Sequence, residues 1–270
     1  MVEISDKEFQ RLAVFIKDNF GIHLSAEKKV LVVGRLGHVL QKLNMNSFTD
    51  YINYVAADKN GEAARTFINH MTTNHTFFMR EADHFKFLKN IVLPRIVPSI
   101  KDRDLRVWSA GCSTGEEAYT LAMLIHDFYG NMRLGWDTKL LATDISDKVL
   151  AQAVKGIYTD EAINSLPRGW KMSYFKPKGP DHYEVAAPIK NEVIFRRFNL
   201  MDPFPFKKKF HVIFCRNVMI YFDASTRKRL LNKFYDSLEP GGYLFIGHSE
   251  TITRDDTYFK YVMPAVYRKE

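Results

Sequence analysis

The 270-residue chain reads as an α/β protein whose sheet-forming part follows a small all-helical domain. Two patterns and one loop predict this. Up to about residue 73 the apolar residues recur at helical spacing. From Asp104 onward apolar strand-like runs alternate with helical segments, the signature of βαβ units and a largely parallel sheet. Within that part "VWSAGCSTGEEAYTLAML", residues 107–124, runs as a strand through a loop of small residues into a helix, the usual opening of a nucleotide-binding α/β unit.

In the helical part, Ser5 with Glu8 predicts a capping box for a helix that aligns Phe9, Leu12, Ile16 and Phe20 and stops at Gly21. Residues 25–43 follow, with Val32, Leu36, Val39, Leu40 and Leu43 at core spacing and Lys28, Arg35, His38 and Lys42 on another face. A basic row of this kind is a solvated face as readily as a contact surface. Ser47 and Asp50 cap a third helix through Val55, and residues 61–72 make a fourth. The expected division is a helical domain over 1–73, a linker and connecting helix over 74–103, and the sheet domain over 104–270. The connecting helix, residues 81–100, is expected to end at its prolines.

Strands are expected at Leu105 to Ser109, Lys139 to Thr143, Val193 to Phe198, Val212 to Cys215 and Tyr243 to Gly247. The stretch "FKYVMPAVYRK" adds one or two antiparallel edge strands. Asp144 and Val193 are too far apart for one crossover helix, and the Gly-Pro turn chemistry between them predicts an inserted hairpin or three-stranded flap at about 172–192. An irregular surface loop is the alternative there.

With 46% hydrophobic residues the chain can bury a real core. No apolar run reaches membrane-spanning length, and "MVEISDKEFQ" has no signal-peptide pattern, so a cytoplasmic, monomeric protein is expected. Cys112 and Cys215 form no ligand cluster with the scattered histidines, which predicts reduced thiols and no metal. Cys112, in the glycine loop, reads as a redox switch or a small loop filler. The net charge of +8 calls for an acidic partner, whether nucleic acid, a lipid surface or a carboxylate-rich protein.

The glycine loop narrows the ligand. A pyrophosphate over the first helix would be repelled by Glu116 and Glu117, the loop lacks the third glycine of the dinucleotide fingerprint, and no lysine follows as a P-loop requires. S-adenosylmethionine carries a sulfonium and an ammonium instead, for which carboxylates are favourable neighbours. Other strand ends agree: Asp144 is placed for the two ribose hydroxyls, Asn199 and Leu200 for adenine, and Arg216 and Asn217 close the next strand. Each of these alone is as readily a cap or a turn residue.

The chain resembles the chemotaxis receptor methyltransferases, the CheR family, over nearly its whole length. The resemblance rests on "TTNHTFFMREADHF" at 72–85, the glycine loop, "ATDIS" at 142–146, "IFCRNVMIYFD" at 213–223 and "GGYLFIGHSE" at 241–250. It implies a Rossmann-like class I methyltransferase domain that carries an inserted antiparallel β-subdomain, with S-adenosylmethionine as cofactor and S-adenosylhomocysteine as product. It also implies methyl transfer to glutamates of chemoreceptors. Asn74, Thr76, Arg80, Glu117, Asp144, Asn199, Leu200 and Asn217 are then expected around the cofactor, with Arg80 and Tyr221 near the transferred methyl. The flap at about 172–192 matches a subdomain that in some members docks a receptor's C-terminal tail. The family usually has Phe where this chain has Met79, which implies an altered pocket wall.

An ionised carboxylate attacking a sulfonium methyl needs alignment and desolvation but no general base. Arg80 could hold the carboxylate and Tyr221 orient it, or the two could be an inter-domain ion pair and a core aromatic. The basic row Lys28, Arg35, His38 and Lys42 would steer an acidic receptor helix. Two rivals remain at this stage, a nucleic-acid methyltransferase, for which no base-flipping motif is present, and a non-catalytic receptor-binding module.

Overall fold

The computed structural model describes residues 2–58, 61–72, 74–253 and 257–270. Four helices form the first unit: α1 (Asp6–Phe20), α2 (Lys29–Lys42), α3 (Phe48–Ala57) and α4 (Glu62–Met71). The capping box is formed, with Ser5 accepting from the Glu8 N–H and the Glu8 carboxylate accepting from the Ser5 N–H. Ile16, Val32, Leu36, Leu40, Phe48 and Phe67 are fully buried in one apolar core. The predicted helix over 25–43 begins as a 3-10 turn (Ala26–Lys28), so Lys28 precedes the α-helix rather than lying on it. The predicted boundary at residue 73 falls on a residue outside the described ones.

A tight turn then leads into α5 (Ala82–Phe87), a π turn (Leu88–Val92), α6 (Leu93–Ile96) and a final 3-10 turn (Val97–Ser99). Pro94 does not stop the run, because it lies in the first turn of α6, where a missing N–H costs little; the run ends, as expected of the prolines, in the turn that contains Pro98.

The sheet is built from β1 (Val107–Ala110), β2 (Leu140–Asp144), β6 (Val193–Arg197), β7 (Phe210–Cys215), β8 (Leu238–Ile246), β9 (Lys260–Met263) and β10 (Val266–Arg268). Its order is β6-β2-β1-β7-β8-β10-β9, with the first five parallel and the last two antiparallel. Alternate residues feed two cores: Val107, Phe214 and Phe245 pack on one face, Trp108, Ile213 and Leu244 on the other. Helices α7 (Glu116–Tyr129), α8 (Asp147–Lys155) and α12 (Ala224–Ser237) follow β1, β2 and β7.

A second sheet joins β3 (Ile157–Thr159), β4 (Phe175–Pro177) and β5 (His182–Val185) in the order β3-β5-β4, all antiparallel. The predicted insert over 172–192 therefore starts too late, since its third strand comes from 157–159. Helices α9 (Asp160–Ile163) and α10 (Arg168–Tyr174) lie between β3 and β4, and α11 (Ala187–Lys190) follows β5.

The helical unit is fastened over the carboxyl ends of the strands. Lys17 pairs with Asp223 at 2.7 Å, the Asn199 amide donates to the Asn19 carbonyl at 2.8 Å, and the His23 N–H donates to the Tyr221 carbonyl at 2.7 Å. Gly21, at φ 72°, ends α1 so close to the sheet domain that a Cβ there would meet Met201 Sδ at 2.5 Å.

Candidate active site

A cavity opens at the carboxyl ends of β1, β2, β6 and β7, where ligands of open α/β sheets lie. Its lining brings together Asn74, Thr76, Arg80, Glu117, Asp144, Asn199, Leu200, Arg216, Asn217 and Tyr221 from five separate segments. Phe20 and Ile22 of the helical unit form part of its wall, a contribution the sequence did not reveal. The glycine loop reaches the cavity as backbone: Gly111 has φ 94°, and a Cβ there would stand 2.4 Å from Val218 Cγ2.

Asp144 ends β2 with each carboxylate oxygen accepting one backbone N–H, Ser146 at Oδ1 and Ser113 at Oδ2, both at 2.9 Å. Each oxygen keeps acceptor capacity for a further donor, as a pair of vicinal hydroxyls would supply. Burial raises its carboxyl above the ordinary value, and those N–H groups oppose the rise.

The two glutamates of the first turn of α7 part company. Glu117 faces the cavity, where its Oε1 accepts from the Ser109 hydroxyl at 2.7 Å and its Oε2 from Arg216 Nη1 at 3.1 Å. Glu116 is buried away from the lining and accepts the Thr114 hydroxyl at 2.6 Å, so its expected place beside the cofactor is not where the structure puts it. Burial raises both carboxyls, and for Glu117 the Arg216 charge only partly offsets the effect.

Arg216 lines the cavity, but its guanidinium is taken up by the protein. Its Nε and Nη2 donate to Glu81 Oε2 at 3.2 and 3.0 Å, Nη1 donates to Glu117, and Nη2 also donates to the Arg80 carbonyl. It lies over the ring of Phe85, 5.3 Å from the centroid. Arg216 is thus better placed to hold the pocket than to bind the cofactor directly. Sequence reasoning does not single out Glu81, whose only signal is to be one charged residue within the motif at 72–85. Glu81, His84 and His248 bring metal-ligand atoms within 4.8 Å of one another, but the cation beside this carboxylate is Arg216.

The turn that presents Arg80 is strained, with positive φ at both Met79 (59°) and Glu81 (56°). Met79 packs partly buried against the sheet-domain core. Arg80 Nη1 donates to the His75 carbonyl at 2.8 Å, and its guanidinium lies 6.0 Å from the exposed Phe77 ring. Of the adenine candidates, Leu200 offers a buried apolar wall, whereas the Asn199 amide is engaged with Asn19. Lys233 fixes that loop from behind by donating to the carbonyls of Leu200, Met201 and Asp202.

Asn217, at φ 59°, and Tyr221 sit on the turn after β7. The buried Glu250 carboxylate holds this turn by accepting the N–H groups of Asn217 at 3.0 Å, Ile220 at 3.2 Å and Gly247 at 2.5 Å. Cys112 is buried, and burial followed by the charges of Asp144 and Glu117 pushes its thiol well up, which favours the loop-filler reading over a redox switch.

Residues 7–72 match the family model for the CheR methyltransferase all-alpha domain, and residues 74–267 match that for the CheR methyltransferase SAM binding domain. The chain belongs to the CheR methyltransferase family. It is 44% identical over 272 residues to the chemotaxis protein methyltransferase of Borreliella burgdorferi, covering 99% of this chain and 96% of that one. It is 36% identical over 268 residues to the chemotaxis protein methyltransferase of Escherichia coli, covering 98% and 91%. A CheR-family chain is an S-adenosylmethionine-dependent methyltransferase, and the cavity offers that cofactor two carboxylates, Asp144 and Glu117. Asp144 has room for hydroxyl donors, and Glu117 offers acceptor capacity to an ammonium.

Proposed function

We infer that this chain methylates glutamate side chains on the cytoplasmic helices of chemoreceptors, giving glutamate methyl esters for chemotactic adaptation. The observation that carries the reading is the convergence of Asp144, Glu117, Arg80 and Tyr221 on one cavity, in a chain that aligns end to end with chemotaxis protein methyltransferases. Asp144 holds the ribose, Glu117 the methionine amino end and Leu200 the adenine, with Asn74, Thr76, Asn199 and Asn217 completing the wall. Bound S-adenosylmethionine supplies an electrophilic methyl on a positively charged sulfur. Arg80 and Tyr221 orient the incoming carboxylate, which attacks in its ionised form and needs no base. Phe77 and the helical unit exclude water from the nucleophile.

Labelled S-adenosylmethionine incubated with receptor-rich membranes should give protein-bound label that is released by mild base, as an ester is. Label on RNA or DNA instead would overturn the assignment. Tyr221→Phe should lower kcat by roughly a hundredfold, the lower end of what a positioned hydrogen-bond donor contributes, with thermal stability and cofactor affinity nearly unchanged. Early melting of that variant would make Tyr221 a core aromatic.

The receptor helix approaches the basic side of α2. Arg35 donates to the Met71 carbonyl, and the His38 ring meets His70 edge-on at 4.9 Å, so these two also join α2 to α4. Lys28 and Lys42 give the cleaner test. Reversing both to Glu should slow receptor methylation severalfold at low salt, with no effect on cofactor binding. The difference should fade as added salt shortens the screening length below about 10 Å. Equal rates at low salt would make the row a solvated face.

The protein acts as a cytoplasmic monomer in this reading; among the described residues no helix is long and apolar enough to cross a membrane. A receptor tail docks on the three-stranded sheet, beside the groove lined by Arg168, Lys171, Met172, Phe175 and Tyr183.

A further inference from the structure

Glu81 is not itself part of the cavity lining, but it holds two residues that are, Arg216 and Asn217. Its Oε2 accepts two N–H groups of Arg216, and its Oε1 accepts the His248 N–H at 3.2 Å and the Asn217 amide at 3.5 Å. Burial alone would raise its carboxyl, but Arg216 and these donors outweigh it and hold it below the ordinary value, so Glu81 carries a full negative charge. His84, with Nδ1 at 3.5 Å from Oε2, adds no charge near neutrality, because burial pushes its imidazole down to about 4.

The charge count behind the cavity follows. One buried guanidinium faces two carboxylates, Glu81 through two N–H groups and Glu117 through one. Were Glu81 neutral, Arg216 and Glu117 would form a self-compensated pair, and a fork such as a guanidinium can turn both of its arms onto one carboxylate. Glu117 would then offer neither net charge nor free oxygen capacity to an incoming ammonium. With both carboxylates ionised, the Glu81–Arg216–Glu117 cluster holds one negative charge in excess, which favours an amino group at Glu117.

We propose that Glu81 is a positioning residue for the methyl donor: by occupying the other arms of Arg216 it limits Arg216 to one N–H bond with Glu117 and so leaves Glu117 acceptor capacity for the amino group of S-adenosylmethionine. The same contacts tie the Arg80 carbonyl to Arg216, so the acceptor side and the donor side of the reaction share one anchor. This inference rests on the placement of the cofactor amino end at Glu117 given above.

The test compares two ligands by calorimetry and checks a third. S-adenosylmethionine carries the amino group, whereas 5′-methylthioadenosine lacks it together with the carboxylate and the sulfonium charge. S-adenosylhomocysteine, a neutral thioether that keeps the amino group, must therefore lose affinity as S-adenosylmethionine does, and the ligand carboxylate would gain rather than lose from removal of a negative charge. In Glu81→Gln, affinity for S-adenosylmethionine should fall about tenfold, the scale of one charge-assisted contact, while affinity for 5′-methylthioadenosine stays at the wild-type value. Glu81→Asp, which keeps the charge, should recover most of the loss. Equal losses for both ligands would show a merely structural residue, and unchanged affinity for both would show that Arg216 needs no second carboxylate. Either result overturns the proposal, as does failure of both variants to fold. Glu117→Gln separates the two readings. If it too leaves the ratio of the two affinities unchanged, the amino group does not lie at Glu117. If it alone changes the ratio, the placement stands and the role of Glu81 falls.

Discussion

Arg216→Met should destabilise the fold by about 3–5 kcal/mol near neutral pH, because removing one partner of a buried ion pair leaves the other charge uncompensated. Here two carboxylates lose their partner at once. The Arg216 side chain is 2% exposed, and those of Glu81 and Glu117 are each 13% exposed. Methionine keeps much of the volume against Phe85 and Phe214, so the loss isolates charge and hydrogen bonding from packing. The pH dependence has a definite sign. In the variant both carboxyls rise above their unfolded value of 4.5, and the folded state binds more protons than the unfolded state above that pH. Stability therefore falls as pH rises, and the deficit relative to the wild type should be smaller at pH ~5 than at pH ~8. Urea denaturation at the two pH values measures it. A loss below about 1 kcal/mol at both would show that the cluster is solvated enough to dispense with its cation.

Much of this architecture was legible because its signals are local. The capping box of α1, the alternation of strands and helices, and the acidic end of β2 each lie within a few residues of one another, and short-range geometry enforces them. The choice between Glu116 and Glu117 was not legible. Adjacent helical residues differ by about 100° in direction, and which one faces the ligand depends on how α7 is rotated against the sheet. A three-stranded insert was one of the two expectations, but its third strand could not be placed at Ile157–Thr159, because three residues are too few to display a period of two.

The remaining omissions are long-range. Glu81 and Arg216 are 135 positions apart, and neither carries any mark of the other. Glu250 stands 30 to 33 positions beyond the turn that it holds. The wall formed by Phe20 and Ile22 depends on how the helical unit is docked, which Lys17 with Asp223 and His23 with Tyr221 determine. Nothing in the sequence marks Lys17, His23 or Asp223 as a docking contact. The polar cofactor-site residues that pattern reading found lie on the cavity lining, Glu116 excepted, whereas Glu81 and Glu250, which it missed, hold them from behind.

Asp144→Ala should weaken S-adenosylmethionine binding by about 1.5–3 kcal/mol, the range for hydrogen bonds to a charged group, which corresponds to roughly tenfold to a hundredfold in Kd. In the protein each Asp144 oxygen already accepts one backbone N–H, and ribose hydroxyls placed as proposed would complete a carboxylate that burial holds above its ordinary 3.8. Two hydroxyl donors favour the ionised form and pull that value back down. Binding should then release protons on the acid side of neutrality, with affinity falling as pH drops through the raised carboxyl range, where the ligand must first displace a proton. Glu117, raised by burial in the same way, adds to the effect with the same sign, because an ammonium also prefers the carboxylate. Asp144→Asn separates the contributions: it keeps an acceptor oxygen but cannot titrate, so it should bind more tightly than Asp144→Ala and release fewer protons than the wild type. Calorimetry at one acidic pH in two buffers of different ionisation enthalpy reads both quantities. Wild-type affinity in Asp144→Ala would remove the ribose from this strand end, because no rearrangement of the Ser113 and Ser146 N–H donors can replace a lost acceptor.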